Sequence, residues 1–168
     1  VSVVLDLMIH DLDILLSIVK SKVKDIHASG VCVVSKTPDI ANARIEFENG
    51  CVANLTTSRI SMKAMRKSRF FQQDAYVSVD FLEKKAEVIR MQEAPENPSE
   101  FDMIIQNAEG EKNQILFEYP NIQPNNAILD ELNSFASAII DNEPIQVSIE
   151  DGTEALKVAL EIMRLINS

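Results

Sequence analysis

The chain has 168 residues, 46% of them hydrophobic and 25% charged, with a formal net charge of −10. That composition can fill a packed core, and the length sets one domain as the expectation. The acidic balance argues against a nucleic-acid or anionic-membrane surface, where basic patches carry the affinity, and no apolar run reaches the ~18 residues of a spanning helix.

The start is apolar but carries Asp6, His10, Asp11 and Asp13, so it does not read as a signal peptide. Cys32 and Cys51 each lie in an apolar, strand-like run and read as buried thiols in a reducing, cytoplasmic compartment. The first residue is Val1 and an apolar helix follows almost at once. This predicts a fragment whose upstream part is left out.

Val3 to Val19 contains no Gly or Pro, and its apolar residues fall at helical spacing. Wound at 3.6 residues per turn, Asp6, His10, Asp13 and Ser17 form one narrow polar stripe. Leu5, Met8, Ile9, Leu12, Leu15, Leu16 and Val19 cover one flank, and Leu7, Ile14 and Ile18 the other. A helix apolar nearly all round is expected to be buried. Asp6 and His10 either pair with each other there or form a reactive site, since buried polar groups need partners.

Val23 to Ser35 predicts a strand, with Gly30 marking a bulge or a close backbone approach. Thr37-Pro38-Asp39 predicts a turn. Ile40 to Glu48 and Cys51 to Ile60 flank Asn49-Gly50, a strong hairpin signal. A two-residue loop there sets Phe47 opposite Val52, Ile45 opposite Asn54 and Ala43 opposite Thr56, leaving neither face cleanly apolar. Arg59, Lys63, Arg66, Lys67 and Arg69 form a basic cluster in the acidic chain. It reads as a solvated loop or as an anion contact, such as a substrate phosphate. Ser68 to Gln72, Tyr76 to Leu82 and Lys85 to Met91 continue as a meander, and Glu93 to Glu100 is a loop. Phe101 to Asn107 and Gln114 to Tyr119 make a further hairpin around Glu109-Gly110.

Ala127 to Ile140 predicts a helix with Ile128, Leu132, Phe135, Ala136 and Ile139 on one face. Ser148 opens the last helix, in a capping box with Asp151 in place of the usual Glu or Gln. That helix is expected to bury Leu156, Ala159, Leu160, Met163 and Ile166. The order predicts an α+β fold, a mostly antiparallel, open-faced sheet with helices packed on one side. The four glycines, Gly30, Gly50, Gly110 and Gly152, are too far apart for a phosphate-binding loop, and no Cys/His spacing suits a metal. His27 sits alone in a strand and reads as structural.

Three segments carry a family resemblance. Leu5-Asp6-Leu7-Met8-Ile9-His10-Asp11-Leu12-Asp13 contains a D-x3-H pattern. Ala43-Arg44-Ile45-Glu46-Phe47-Glu48-Asn49-Gly50 forms the first long hairpin. The end runs Glu131-Leu132-x-x-Phe135-Ala136-x-Ala138-Ile139, then Pro144 to Leu156. In this order and spacing the chain resembles the C-terminal domain of the glucose–fructose oxidoreductase / inositol dehydrogenase / MocA family. The resemblance implies a dihydrodipicolinate-reductase-like single domain over residues 1–168, and a nucleotide-binding Rossmann domain upstream, which supplies a catalytic lysine. It implies an NAD- or NADP-dependent dehydrogenase of a sugar, inositol or nucleotide sugar, with UDP-linked amino sugars the nearest fit. The cofactor would be held by the complete enzyme and not by this chain, which alone would be inactive. His10 and Asp6 would be the catalytic pair, and Asp13, Arg59 and Lys63 substrate contacts. A homo-oligomer, a dimer for example, would form through the open sheet face. The other reading is a binding or scaffolding module that kept the fold without catalysis.

Overall fold

In the computed structural model, which describes residues 1–167, the chain divides into two compact units. The first unit joins Val1–Met62 to the chain from Glu131 onward, and the second is Lys63–Asp130.

The first unit holds a three-stranded antiparallel sheet of β1 (Val23–Val31), β2 (Ile40–Phe47) and β3 (Val52–Ser58), in that order. A π-helical segment, Val4–Met8, runs directly into α1 (Ile9–Ile18). The register is one residue away from the two-residue-loop expectation: Ile45 faces Ala53, Ala43 faces Leu55 and Ala41 faces Thr57. The Phe47 amide donates to Cys51 O and the Gly50 amide to Phe47 O, so the loop has three residues and closes on Gly50 at φ +85°. Only glycine adopts that conformation without strain, and the extra residue flips every pairing beyond it. The sheet therefore has one clean apolar face. Ile26, Ala28, Ala41, Ala43, Ile45, Ala53 and Leu55 lie on it, and Asp25, His27, Ser29, Asn42, Arg44, Asn54 and Thr56 on the other.

Helix α2 (Ala127–Ile140) spans the boundary of the two units, and no residue of it is buried. Its expected bounds hold, but Ile128, Leu132, Phe135 and Ile139 stay exposed. In α3 (Ile149–Ile166), Ser148 accepts from the Asp151 amide and Asp151 returns a bond to Ser148, the capping box foreseen in the sequence. The buried residues of α3 are Ala155, Val158, Ala159 and Ile162, whereas Leu156 and Leu160 are exposed. The buried side of α3 thus carries the small Ala155 and Ala159, and the larger leucines lie off it.

The core of the first unit is Val3, Val4, Met8 and Leu12 from the first helix, Ala41, Ala43, Ile45 and Phe47 from β2, and Val158, Ala159 and Ile162 from α3. Helices cover the apolar face of the sheet, as expected. Each large side chain buried here contributes roughly 1.5–3 kcal/mol relative to exposure. Gly30 is a close approach and not a bulge: the bulge in β1 falls between Val23 and Asp25. A Cβ on Gly30 would stand 2.7 Å from Ile166 Cγ2 and 3.2 Å from Pro38 Cβ.

Between β1 and β2 the chain folds around Asp39, which is wholly buried. Its Oδ2 accepts from the amides of Val33, Val34 and Ser35 at 2.8, 2.8 and 2.9 Å. These donors, the Ser35 amide foremost and then that of Val33, hold its carboxyl far below the usual 3.8, against the opposing effect of burial. Both cysteines are free thiols. Cys32 in this loop is exposed, not buried as its apolar surroundings implied, and Cys51 is half-buried.

The second unit is a five-stranded antiparallel sheet: β4 (Lys67–Phe71), β5 (Ala75–Asp80), β6 (Lys85–Glu93), β7 (Met103–Gln106) and β8 (Lys112–Glu118), in the order β4-β5-β6-β8-β7. The eight strands expected from the sequence are all present but divide into two sheets instead of one, and β8 inserts between β6 and β7. The β7–β8 turn repeats the first hairpin: Gly110 sits at φ +89°, with Asn107 bonded to Glu111 O. Phe71, Tyr76, Ile89 and Phe117 pair across one face, and Met91, Ile115 and Met103 form the next row. Of these, Phe71, Met91, Met103 and Phe117 are exposed.

Two expectations follow. Gly30→Ala should destabilise the chain by about 1–3 kcal/mol through overpacking. Gly152→Ala, whose Cβ meets nothing within 4 Å, should stabilise it by roughly 0.5–1 kcal/mol. Urea midpoints measured side by side check both. Asp39 also sets a pH dependence. Its pKa is lower folded than unfolded, so its contribution is present above the unfolded value and is lost as pH falls from about 4 toward the folded value. The acid limb of stability against pH should therefore be shallower in Asp39→Asn than in the parent chain.

Candidate active site

The first helix is anchored by its apolar side, and that decides where its polar residues go. Val3, Val4, Met8 and Leu12 are fully buried, with Leu5, Ile9, Leu15, Leu16 and Val19 packed against them. Apart from Val3 and Val4, these are the residues of the larger of the two apolar flanks named from the sequence. The opposite flank is not buried: Leu7 and Ile18 are exposed. The helix is thus a surface helix, contrary to the expectation from its all-round apolar pattern, because one sheet face can cover only one side of it. Asp6 and His10 are exposed and Asp13 is half-buried. The Ser17 hydroxyl is taken up locally, donating to Ile14 O at 2.8 Å.

The backbone beneath Asp6 is widened. The Ile9 amide donates to Val4 O, five residues back, where an α-helix would use the fourth. Ser2 steadies the entry: its hydroxyl accepts from the Val4 amide at 3.3 Å and its carbonyl from the Asp6 amide at 3.1 Å. Such π-turns concentrate at functional sites.

Arg59 follows directly after β3 and reaches the same place. Its Nη2 donates to Val1 O at 2.7 Å and stands 4.0 Å from Asp6 Oδ2. Its Nε stands 4.0 Å from Asp39 Oδ1. Among the residues expected from the sequence, the fold thus joins Asp6 to Arg59, and sets His10 and Asp13 on one side of α1, a turn apart. Lys63 lies in the exposed loop that opens the second unit. The rest of the basic cluster is partly committed there: Arg66 lies over the Phe81 ring at 5.2 Å, and Lys67 pairs with Asp80 at 3.3 Å.

Sequence reasoning missed Asp39, which reads as a turn residue after Pro38. The signal available was an acidic residue placed at the mouth of a buried strand. A shallow hollow of about 360 Å³ lies elsewhere, on the polar face of the three-stranded sheet, lined by His27, Ser29, Asn42, Arg44, Asn54 and Thr56. There the Thr56 hydroxyl donates to Asn42 Oδ1 at 2.8 Å, and exposed His27 pairs with Asp25 at 3.1 Å. This hollow is on the face away from the helices.

An exposed carboxylate and imidazole one turn apart, with a guanidinium beside the carboxylate, can bind hydroxyl groups and exchange a proton with one of them.

Residues 2–76 match the family model described as the GFO/IDH/MocA C-terminal domain. The chain is 31% identical over 164 residues to UDP-N-acetylglucosamine 3-dehydrogenase of Acidithiobacillus ferrooxidans, covering 96% of this chain and 48% of that protein. A solved structure of that enzyme superposes with a TM-score of 0.83 at 30% identity, over 98% of this chain and 49% of the other. An NAD-binding protein of Listeria innocua shares the fold alone, with a TM-score of 0.69 at 21% identity over 99% of this chain and 45% of that one. The chain thus spans about half the length of the relatives it matches. Residues 2–76, which hold the D-x3-H helix and the first hairpin, thus match the GFO/IDH/MocA C-terminal domain, and the whole chain shares the α+β architecture of these relatives.

Proposed function

We propose that this chain is the substrate-side half of an NAD- or NADP-dependent oxidoreductase acting on a nucleotide sugar, with a UDP-linked amino sugar as the substrate class. The observation that carries the reading is the solvent-facing Asp6–His10 pair on a widened helical turn, in a chain 31% identical to a UDP-N-acetylglucosamine dehydrogenase. Oxidising a secondary alcohol needs a group that takes the hydroxyl proton as hydride leaves for the nicotinamide. His10 is assigned that role, or that of orienting the hydroxyl for a lysine of a preceding nucleotide-binding half. Asp6 orients His10 or accepts from a neighbouring hydroxyl. Asp13 and Arg59 are assigned to the sugar, and Lys63 to a phosphate. The nicotinamide would supply the hydride acceptor from that preceding half, in the cytoplasm.

The open apolar face of the second sheet supports self-association. Exposed Phe71, Met103 and Phe117 lie in rows with Tyr76, Ile89 and Ile115. A second copy stacked face to face would cover them.

Two experiments test these assignments. In the complete protein, with UDP-N-acetylglucosamine and NAD or NADP, His10→Ala should lower kcat by roughly 10²–10⁴. Its unfolding free energy should move by less than about 0.5 kcal/mol, because His10 is exposed. Unchanged turnover would remove His10 from the reaction, and no turnover in the parent protein would favour a scaffolding module. Sedimentation at tens of micromolar should show a dimer or larger, and Phe117→Glu should weaken it at least about tenfold, the equivalent of ~1.4 kcal/mol. A monomer throughout would refute the sheet-face contact.

A further inference from the structure

Asp39 and Arg59 are tied to each other twice. The Arg59 amide donates to Asp39 O at 3.0 Å, and the Arg59 Nε faces Asp39 Oδ1 at 4.0 Å. Asp39 Oδ2 is already saturated by three amides, so Oδ1 is what remains of the carboxylate. It is buried and has no hydrogen bond, one of two such side-chain atoms among the described residues. A buried carboxylate oxygen without a donor is costly, and a guanidinium directed at it offsets that cost. The far end of the same guanidinium bonds Val1 O and stands beside Asp6 Oδ2. One planar group therefore links a wholly buried anion to the exposed carboxylate of the D-x3-H helix. The Asp6 side chain is 58% exposed and Asp39 is 0%.

We propose that Asp39 is a positioning residue, which acts through Arg59 to fix Asp6 and the widened turn beneath it. The planar fork matters: Nε lies 4.0 Å from Asp39 Oδ1 while Nη2 bonds Val1 O and lies 4.0 Å from Asp6, and lysine cannot span both. The consequence for turnover rests on the active-site reading above, but the link itself does not. Asp39 touches no substrate in this scheme, and its effect passes entirely through the orientation of Arg59.

The test uses the complete protein. With nitrogen-labelled arginine, the Arg59 Nε–H signal, identified by its absence in Arg59→Lys, should exchange slowly with water. In Asp39→Asn, which keeps an acceptor for the loop amides, that exchange should quicken at least about tenfold. With UDP-N-acetylglucosamine as substrate, Asp39→Asn and Arg59→Lys should each lower kcat roughly 10–100-fold, as for a misplaced reacting group, and Arg59→Lys, which also alters a sugar contact, should raise KM besides. The double variant should fall no further than the worse single one, because both break the same link. Fast exchange of Arg59 Nε–H in the parent protein would overturn the proposal. So would an Asp39→Asn variant that loses melting temperature while keeping both kcat and Arg59 protection. Arg59→Lys leaves the Asp39 loop intact, so it decides the kinetic question even where Asp39→Asn folds poorly. If His10→Ala leaves kcat unchanged, the active-site reading has failed, and the Arg59 exchange rate in Asp39→Asn alone decides the link.

Discussion

The first unit depends on one packing constraint: Met8 and Leu12 must bury in the same core as Ile45, Phe47 and Ile162. The first helix has apolar residues on most of its circumference, yet the sheet and α3 can cover only one side. The larger flank wins the contact because it carries Val3, Val4, Met8 and Leu12 at positions that meet the sheet. Everything else about the site follows from that choice. The polar residues turn outward, Leu7 and Ile18 remain exposed, and the backbone opens by one residue over Val4–Met8, with Val4 and Met8 both buried.

The sheet supports this through a device that is easy to misread. Asn49-Gly50 marks a hairpin, but the loop takes in Glu48 as well, with Gly50 in the left-handed region. That one extra residue aligns Ala43 with Leu55 and Ile45 with Ala53, and gives the helices a continuous apolar floor. Pairing around a two-residue loop would have put Asn54 opposite Ile45 and spoiled the floor. A period-two pattern does not distinguish the registers unless the turn geometry is known.

Charge in the first unit is handled by ordering the backbone around it. Asp39 draws the Val33–Ser35 amides onto one oxygen, and so folds the β1–β2 connection, otherwise an irregular stretch. Arg59 then extends from the end of β3 to the start of the chain. The capping box at Ser148 does the same on a smaller scale, where the Ser148 hydroxyl and amide hold the Asp151 carboxyl below its usual range. In each case a short polar side chain satisfies amides that would otherwise be orphaned at the end of an element.

The sequence by itself determined the elements and the family resemblance. The α2 bounds, the Ser148 cap and the hairpins at Gly50 and Gly110 are local: a turn glycine, a cap or a helical period acts over a few residues and leaves its mark in them. The D-x3-H spacing was equally legible, and with it Asp6 and His10 as the residues to examine. Tertiary structure alone decided which side of each helix is covered, as Leu156 and Leu160 show by lying exposed on α3 where Ala155 and Val158 are buried. It alone decided the division of eight strands into two sheets and the insertion of β8 beside β6. It alone brought Arg59 to Asp6 and to Asp39, residues 53 and 20 positions earlier in the chain. Those outcomes depend on competition between surfaces far apart in sequence, where area and close approach choose the winner, and no local pattern records that choice.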